Sequence, residues 1–188
     1  MPSEACGGYV LAGGKSSRMG QNKAFLDILG QPLVVAIARS IAAVAEDVTL
    51  VGDPLIYADL GFPVIADRYP GCGPLAGIHS ALHHTQHDWN LIAACDMPVP
   101  QPVWAGLLDQ SRQAFDCIMP TTAGRLEPLG ALYHRRCLTA IEAALAAARY
   151  KVSDAVAGLR LRRVEFPGDA FRNLNTPEEW REFVSQHV

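Results

Sequence analysis

The sequence predicts an α/β protein in which helices cover both faces of a mostly parallel β-sheet. Short apolar runs of strand length alternate along the chain with longer amphipathic runs of helix length, and this alternation is typical of layered α/β folds. Several strand-like runs are continuously apolar, which indicates strands buried on both faces. The 188 residues, 49% hydrophobic and 19% charged, predict one globular domain over residues 1–188.

Strands are predicted where a short apolar or alternating run is closed by a turn residue or an acid. The run YVLA stops at two glycines, VTLV at GDP, and NLIAACD at its own aspartate. The predicted strands are YVLA (9–12), VTLV (48–51), VIAD (64–67), NLIAACD (90–96), DCIMP (116–120), PLGALY (128–133) and LRLRRVEF (159–166).

Helices are predicted where apolar residues recur every three or four positions. Pro32 suits the first turn of one helix. In the last helix Thr176 is the expected cap, Pro177 takes the first position, and Glu179 completes a capping box. The predicted helices cover residues 32–45, 74–84, 103–112, 138–149 and 175–186.

Charge and cysteine content argue against several classes of protein. A net charge of −3 provides no basic field for a nucleic-acid backbone, so we expect no nucleic-acid partner. No apolar run reaches membrane-spanning length and the first residues lack a signal-peptide pattern, so we expect no membrane association. The five cysteines are an odd number without a C-x-x-C pair, which favours reduced thiols in the cytoplasm.

The stretch GGYVLAGGKSSRMGQNKA (7–24) resembles a phosphate-binding loop, but its register is wrong for the common types. A P-loop, G-x-x-x-x-G-K-[ST], would need a glycine at the position of Tyr9 if Lys15 were its lysine. The spacing of Gly13, Gly14 and Gly20 does not fit G-x-G-x-x-G either. A P-loop kinase or ATPase is therefore disfavoured.

What remains is a buried strand, a Gly-Gly turn and a loop with three cations, Lys15, Arg18 and Lys23. Glycines let a backbone approach an anion closely, and several cations can neutralise a triphosphate. A solvated basic loop is the alternative, but three cations within nine residues after a strand favour phosphate binding. Ligands bind beyond the carboxyl ends of such strands, which directs attention to Gly13, Asp67 and Asp96. The loops at 67–73 and 120–128 are expected to border that site.

The segment LAGGKSSRMGQNKAFLDILGQPLV (11–34) resembles the nucleotidyltransferase signature L-A-G-G-x-S-x-R-M-G-x-D-K. Together with VIADRYPGCGPLAGIHSAL, AACDMP, EPLGALY and NLNTPEEW, it is similar to the molybdenum cofactor guanylyltransferase family. The resemblance implies a Rossmann-like, three-layer α/β/α fold of the nucleotide-diphospho-sugar transferase type. It also implies transfer of GMP from GTP to the terminal phosphate of molybdopterin, with release of pyrophosphate and with Mg²⁺ as cofactor. Asn22 stands where the family usually has aspartate.

The resemblance assigns catalytic roles to Lys23, Arg18 and Asp96. Lys23 and Arg18 would neutralise phosphate charge, whereas Lys15 is balanced between this role and a solvated one. Nucleotide contacts are implied for the strand end, for Lys23 and for two acids; the residues are Leu11, Ala12, Gly13, Gly14, Lys23, Asp67 and Asp96.

Four polar residues have alternative interpretations. From the pattern alone Asp96 could cap a helix before Pro98, and Asp67 could form a turn. The resemblance makes Asp96 the Mg²⁺ ligand and Asp67 a nucleotide contact. Asn173 and Asn175, which alternate around Leu174, would bind the second substrate, although one of them could be a turn residue.

Other features are assigned structural roles. His79, His83 and His87 are four residues apart, which we interpret as a surface row rather than a metal site. Cys95 is expected to be a buried thiol without nucleophilic function. The arginines at 160, 162 and 163 are expected to line a solvated strand face.

Two classes of function stay open beside guanylyl transfer. One is another nucleotidyltransferase of the same fold, such as a molybdopterin cytidylyltransferase or a sugar-nucleotide pyrophosphorylase. The other is a non-catalytic nucleotide or cofactor carrier, which the retained Lys23, Arg18 and Asp96 disfavour. Acceptor molybdoenzymes or their chaperones are the expected protein partners.

Overall fold

Ten strands and seven α-helices lie in the part of the chain that the computed structural model describes, residues 5–13, 22–110, 113–168, 170–174 and 176–187. The strands are β1 (Cys6–Leu11), β2 (Asp27–Ile28), β3 (Gln31–Pro32), β4 (Asp47–Val51), β5 (Val64–Ile65), β6 (Trp89–Ala94), β7 (Cys117–Thr122), β8 (Arg125–Leu126), β9 (Gly130–His134) and β10 (Leu161–Phe166). The helices are α1 (Leu33–Ala42), α2 (Pro54–Tyr57), α3 (Pro74–His84), α4 (Gln101–Leu108), α5 (Leu138–Ala146), α6 (Val152–Ala155) and α7 (Pro177–His187).

The main sheet has eight strands in the order β10-β7-β9-β6-β1-β4-β5, with β8 paired to β7. Parallel pairs join β1 to β4 and β6, β4 to β5, and β7 to β10. Strand β9 runs antiparallel between β6 and β7. The prediction of a mostly parallel sheet is confirmed, with β9 and the short β8 as the reversed strands.

The sheet is packed on both faces, as its apolar strands predicted. Successive residues of β1 point to opposite sides: Val10 belongs to one core cluster, and Tyr9 and Leu11 belong to the other. Buried side chains of α1 and α4 complete the first cluster, and those of α3 and α5 complete the second. The predicted three-layer α/β/α arrangement is therefore confirmed.

The segment 120–128, predicted to be a loop beside the site, is mostly a hairpin. Thr121 and Thr122 belong to β7 and pair antiparallel with Leu126 and Arg125 of β8. The two-residue turn has positive φ at Ala123 (48°) and Gly124 (76°). Such a turn matches the twist of the two strands, and the adjacent threonines favour extended backbone.

Several element boundaries also differ from the predictions. Helix α1 ends at Ala42 rather than at residue 45, and Pro32 precedes it as the last residue of β3. Helix α5 ends at Ala146, shortly before Ala148 adopts the left-handed conformation (φ 53°). The capping box of α7 is confirmed, since the backbone N–H of Thr176 donates to Glu179 Oε2 (3.0 Å) and that of Glu179 donates to Thr176 Oγ1 (3.2 Å).

The predicted surface row of histidines is wrong. His79 is buried on α3, with its Nε2 3.5 Å from Glu142 Oε1 of α5 and its ring against Tyr69. His87 lies beyond the end of α3 and pairs with Asp47 at 2.8 Å. Within the described ranges no three histidine, cysteine or acidic side chains cluster as metal ligands. None of the helices there is both long and apolar enough to cross a membrane.

Candidate functional site

An open cavity of about 220 Å³ lies where β1 and β6 end side by side. The two strands are parallel neighbours, so their carboxyl ends meet at one edge of the sheet, where ligands bind in open α/β folds. The residues that line the cavity are Leu11, Ala12, Gly13, Asn22, Lys23, Pro74, Ala94, Cys95, Asp96 and Leu129.

Lys23 and Asp96 form an ion pair at this cavity. Lys23 Nζ lies 3.4 Å from Asp96 Oδ2, and the two side chains are 15% and 25% exposed. Lys23 begins a short 3₁₀ turn, Lys23–Phe25, whereas Asp96 follows the end of β6. The structure therefore brings together a cation and an acid that are 73 residues apart in sequence. Partial burial strengthens their field at the cavity, because a charge is less screened there than in bulk water.

The end of β1 presents backbone to the same cavity. The N–H of Ala12 donates to the carbonyl of Val51 (2.8 Å), which fixes this residue against β4. Gly13 is exposed, and among the residues that the structure describes a Cβ added to it would meet only the Val51 oxygen, at 4.0 Å. A ligand can therefore approach the main chain closely at Gly13. The predicted Gly14, Lys15 and Arg18 lie outside the described residues.

Leu11 contributes to the floor of the cavity rather than to its polar surface. Leu11 as a whole is 8% exposed, and its side chain packs against Gly77 of α3, where an added Cβ would lie 3.0 Å from Leu11 Cδ2. Packing against Leu11 therefore accounts for Gly77. In the loop before α3, Gly71 and Gly73 have positive φ of 89° and 70°, a conformation that favours glycine.

Asp67 has a structural role in the loop after β5. Its Oδ1 accepts hydrogen bonds from the backbone N–H of Tyr69 (2.9 Å) and from Ser80 Oγ (3.5 Å). This geometry is that of a turn-forming aspartate. Asp67 is not among the residues that line the cavity. A direct nucleotide contact by Asp67 thus stays a prediction.

The segment before α7 reaches the end of β6. The N–H of Leu174 donates to the backbone carbonyl of Asp96 at 2.8 Å. Asn173, which is partly buried, directly precedes Leu174. Asn175 lies outside the described residues. The segment therefore contacts the backbone at Asp96, and substrate binding by Asn173 and Asn175 stays a prediction.

A second cavity, of about 340 Å³, shares Pro74 and Leu129 with the first. Tyr150 and Lys151, which the sequence pattern did not single out, are part of its wall, and both are exposed. They lie in a short connection between α5 and α6, where no periodic pattern marks a binding residue. The other residues of the wall are Leu126, Pro128, Val152 and Ser153.

Cys95 lines the cavity but is not a reactive group. Burial, together with the neighbouring Asp96, raises the pKa of the Cys95 thiol to about 12, so the thiol stays protonated at neutral pH. This agrees with the expectation that Cys95 is not a nucleophile. Away from this cavity, Arg160 is exposed, as expected, and also holds Asp116 through Nη2–Oδ1 and Nε–Oδ2 contacts of 2.8 and 3.0 Å.

Known proteins resemble this chain over most of its length. Residues 8–162 match the family model described as the MobA-like NTP transferase domain. The chain belongs to this family. A probable molybdenum cofactor guanylyltransferase from Clostridium perfringens is 33% identical, covering 94% of this chain and 95% of that protein. One of the same name from Pelotomaculum thermopropionicum is 35% identical, with coverages of 92% and 88%.

A solved structure has the same fold as this chain. Molybdopterin-guanine dinucleotide biosynthesis protein A from Archaeoglobus fulgidus superposes with a TM-score of 0.80 at 24% identity, covering 97% of this chain and all of that one. At this identity the likeness concerns the fold. The predicted nucleotide-diphospho-sugar transferase type of fold is therefore confirmed, as is the resemblance that the motifs carried.

Proposed function

We propose that this protein transfers the GMP moiety of GTP to the terminal phosphate of molybdopterin and releases pyrophosphate. The observation that carries nucleotidyl transfer is the Lys23–Asp96 pair beside the exposed backbone of Gly13, all at the joined ends of β1 and β6. The choice of guanine and molybdopterin rests on the names of relatives that match nearly the whole chain.

In this reaction an oxygen of the acceptor phosphate attacks the α-phosphorus of GTP. A new phosphorus–oxygen bond forms while the bond to the bridging oxygen breaks, and the electron pair leaves with pyrophosphate. The protein must align two anions and stabilise the charge that develops on the leaving group. The Lys23 ammonium is suited to that stabilisation, and we assign Arg18 the same role. The N–H groups around Gly13 and Gly14 are assigned to the phosphates.

Asp96 is the residue that we propose as the Mg²⁺ ligand. It is the single carboxylate among the described residues that line the first cavity, and its side chain is 25% exposed. One carboxylate suits Mg²⁺, which keeps several waters and takes its remaining ligands from phosphates. When bound, the ion would offset phosphate charge. Asp96 would orient it, and Lys23 would turn from its carboxylate partner toward the triphosphate.

The second cavity is where we place the molybdopterin. It adjoins the nucleotide cavity at Pro74 and Leu129, so an acceptor phosphate bound there would be close to the triphosphate. Leu126, Pro128 and Tyr150 offer apolar surface to a flat ring system, and Lys151 offers a cation. Asn173 and Asn175 are assigned to the same substrate from the side of Asp96.

One panel tests the function. The protein is incubated with Mg²⁺, molybdopterin and either GTP, CTP or ATP, and pyrophosphate is measured, with controls that omit molybdopterin. We expect release with GTP only when both substrates are present. A preference for CTP would make the protein a cytidylyltransferase with the same mechanism, and no release with any nucleotide would favour a carrier.

A further inference from the structure

A chain of three hydrogen bonds connects the turn that carries Lys23 to the end of β1. Asn22 Oδ1 accepts from the backbone N–H of Ala24 (3.1 Å), and Asn22 Nδ2 donates to the Tyr57 hydroxyl (2.9 Å). The Tyr57 hydroxyl donates in turn to the backbone carbonyl of Ala12 (2.8 Å). These bonds join the two walls of the nucleotide cavity through a residue of α2.

The direction of each bond is fixed by chemistry. A backbone carbonyl only accepts, so the single Tyr57 proton goes to Ala12. Toward Asn22 the Tyr57 oxygen can then act only as an acceptor, and the amide NH₂ of Asn22 donates a hydrogen bond to it. An aspartate at position 22, the residue in the family signature, could still accept from Ala24 but would offer Tyr57 a second acceptor instead of a donor. Asn22 therefore provides the donor that lets the Tyr57 hydroxyl accept one hydrogen bond and donate another.

The Tyr57 ring is fixed by packing, so its hydroxyl keeps a defined place between Asn22 and Ala12. It is 2% exposed, and its ring stacks on Phe25 of the Lys23 turn with centroids 5.6 Å apart and planes 5° from parallel. Gly52 leaves room for it, since an added Cβ there would lie 2.8 Å from the ring. Burial raises the pKa of the Tyr57 hydroxyl, which keeps the donating proton in place.

We propose that Asn22 and Tyr57 are positioning residues, which set the turn of Lys23 against the backbone of Ala12 so that ammonium and strand end face the same phosphates. Lysine is long and has many rotamers, so a fixed turn lowers the entropy lost when its ammonium binds phosphate. The kinetic consequence rests on the proposed function, whereas the structural consequence is independent of it.

The kinetic test uses substitutions that nearly keep side-chain size and each remove a hydrogen-bond donor of the chain. Tyr57→Phe removes the hydroxyl, and Asn22→Asp removes the donor to it. We expect each to lower kcat/KM for GTP about 10- to 100-fold, since small misplacements near reacting groups have effects of this size. The double variant should lose little more than the worse single variant, because both break one chain of bonds.

Tyr9→Phe is the matched control. Tyr9 is also 2% exposed and lies on β1, but its hydroxyl contacts His84 Nδ1 (3.1 Å) on the other face of the sheet. We expect this variant to keep the wild-type kcat and KM. If Tyr57→Phe is as active as Tyr9→Phe, or if the effects of Asn22→Asp and Tyr57→Phe simply multiply, the positioning role is overturned.

Hydrogen exchange separates this inference from the proposed function. The Ala24 amide, bonded to Asn22, should exchange several-fold faster in Tyr57→Phe than in the wild type, with unchanged exchange in Tyr9→Phe. Unchanged exchange in Tyr57→Phe would overturn the positioning role even in an active enzyme. Faster exchange in a protein that releases no pyrophosphate would support the hydrogen-bonded chain and reject the guanylyltransferase function instead.

Discussion

The backbone N–H of Leu174 donates to the carbonyl oxygen of Asp96 at 2.8 Å, and this bond ties the segment before α7 to the end of β6. Asp96 therefore makes two separate contacts. Its backbone carbonyl holds the segment with Asn173 and Leu174, and its carboxylate pairs with Lys23 at the nucleotide cavity. Because the structural bond uses the backbone and the chemical contact uses the side chain, mutation can separate the two.

Asp96→Asn should remove activity and leave the fold intact. The substitution keeps the backbone carbonyl that Leu174 contacts and the size of the side chain. It removes the negative charge that pairs with Lys23 and that we propose as the Mg²⁺ ligand. We expect pyrophosphate release to fall by at least about 100-fold, the range typical for loss of one electrostatic group at a reacting centre. The measurement is initial rate against Mg²⁺ concentration, with thermal unfolding alongside.

Asp59→Asn is the control for the loss of one carboxylate. Asp59 is exposed in the 3₁₀ turn after α2 and does not line either of the two cavities described above. It should keep the wild-type rate and Mg²⁺ dependence. Near-normal activity of Asp96→Asn would show that the metal role has been assigned to the wrong residue.

Lys23 and Lys151 should affect different substrates. Lys23 lines the first cavity and Lys151 the second, so Lys23→Met should lower kcat with GTP, whereas Lys151→Met should raise KM for molybdopterin and leave KM for GTP unchanged. Lys151 pairs with Asp154 at 3.7 Å and is 75% exposed, so its loss should hardly change stability. Steady-state kinetics with each substrate varied in turn measures both effects. Equal effects of Lys151→Met on both substrates would contradict the two-cavity assignment.

The sequence predicted those parts of the fold that depend on local pattern. Helix α3 begins and ends where the sequence predicted, at Pro74 and His84, because apolar spacing and a proline at its start mark it locally. The strand-end rule also directed attention to Gly13 and Asp96, which both line the first cavity because the carboxyl ends of β1 and β6 share one sheet edge.

What the sequence did not predict depends on contacts between distant residues. Asn22 and Tyr57 are 35 residues apart, and in α2 the more apolar-looking Leu55 is 95% exposed while Tyr57 is buried. No periodic pattern indicates which of them faces the core. Likewise, the antiparallel direction of β9 depends on its place between β6 and β7. The Arg160–Asp116 contact, across 44 residues, depends on the pairing of β10 with β7.

Gly130→Ala should destabilise the protein through the segment that leads to Asp96. An added Cβ at Gly130 would lie 2.7 Å from the ring of Phe171, three residues before Leu174, and 3.2 Å from Met97 Sδ. Overpacking of this kind lowers the free energy of unfolding by about 1–3 kcal/mol. Gly158→Ala is the control: an added Cβ there would have no described atom within 4 Å, so the substitution should change the free energy of unfolding by less than about 0.5 kcal/mol. Urea denaturation measures both variants. Equal stability of the two would show that Phe171 moves aside freely.

Asp116 should make stability depend on pH in the acid range. Hydrogen bonds from Arg160 lower the pKa of this carboxyl from 3.8 to about 2, and Arg136 adds to the effect. A carboxyl whose pKa is lower in the folded state stabilises it above the pKa of the unfolded chain, and this contribution is lost as pH falls through the folded value. The contribution is therefore complete above about pH 5 and declines between about pH 4 and pH 2. Asp116→Asn removes the titrating group, so the difference in unfolding free energy between wild type and variant should be constant from pH 7 to pH 5 and shrink at lower pH. Urea denaturation at pH 7, 5, 4 and 3 measures this difference, and a difference that stays constant down to pH 3 would show that Arg160 does not hold the carboxylate in solution.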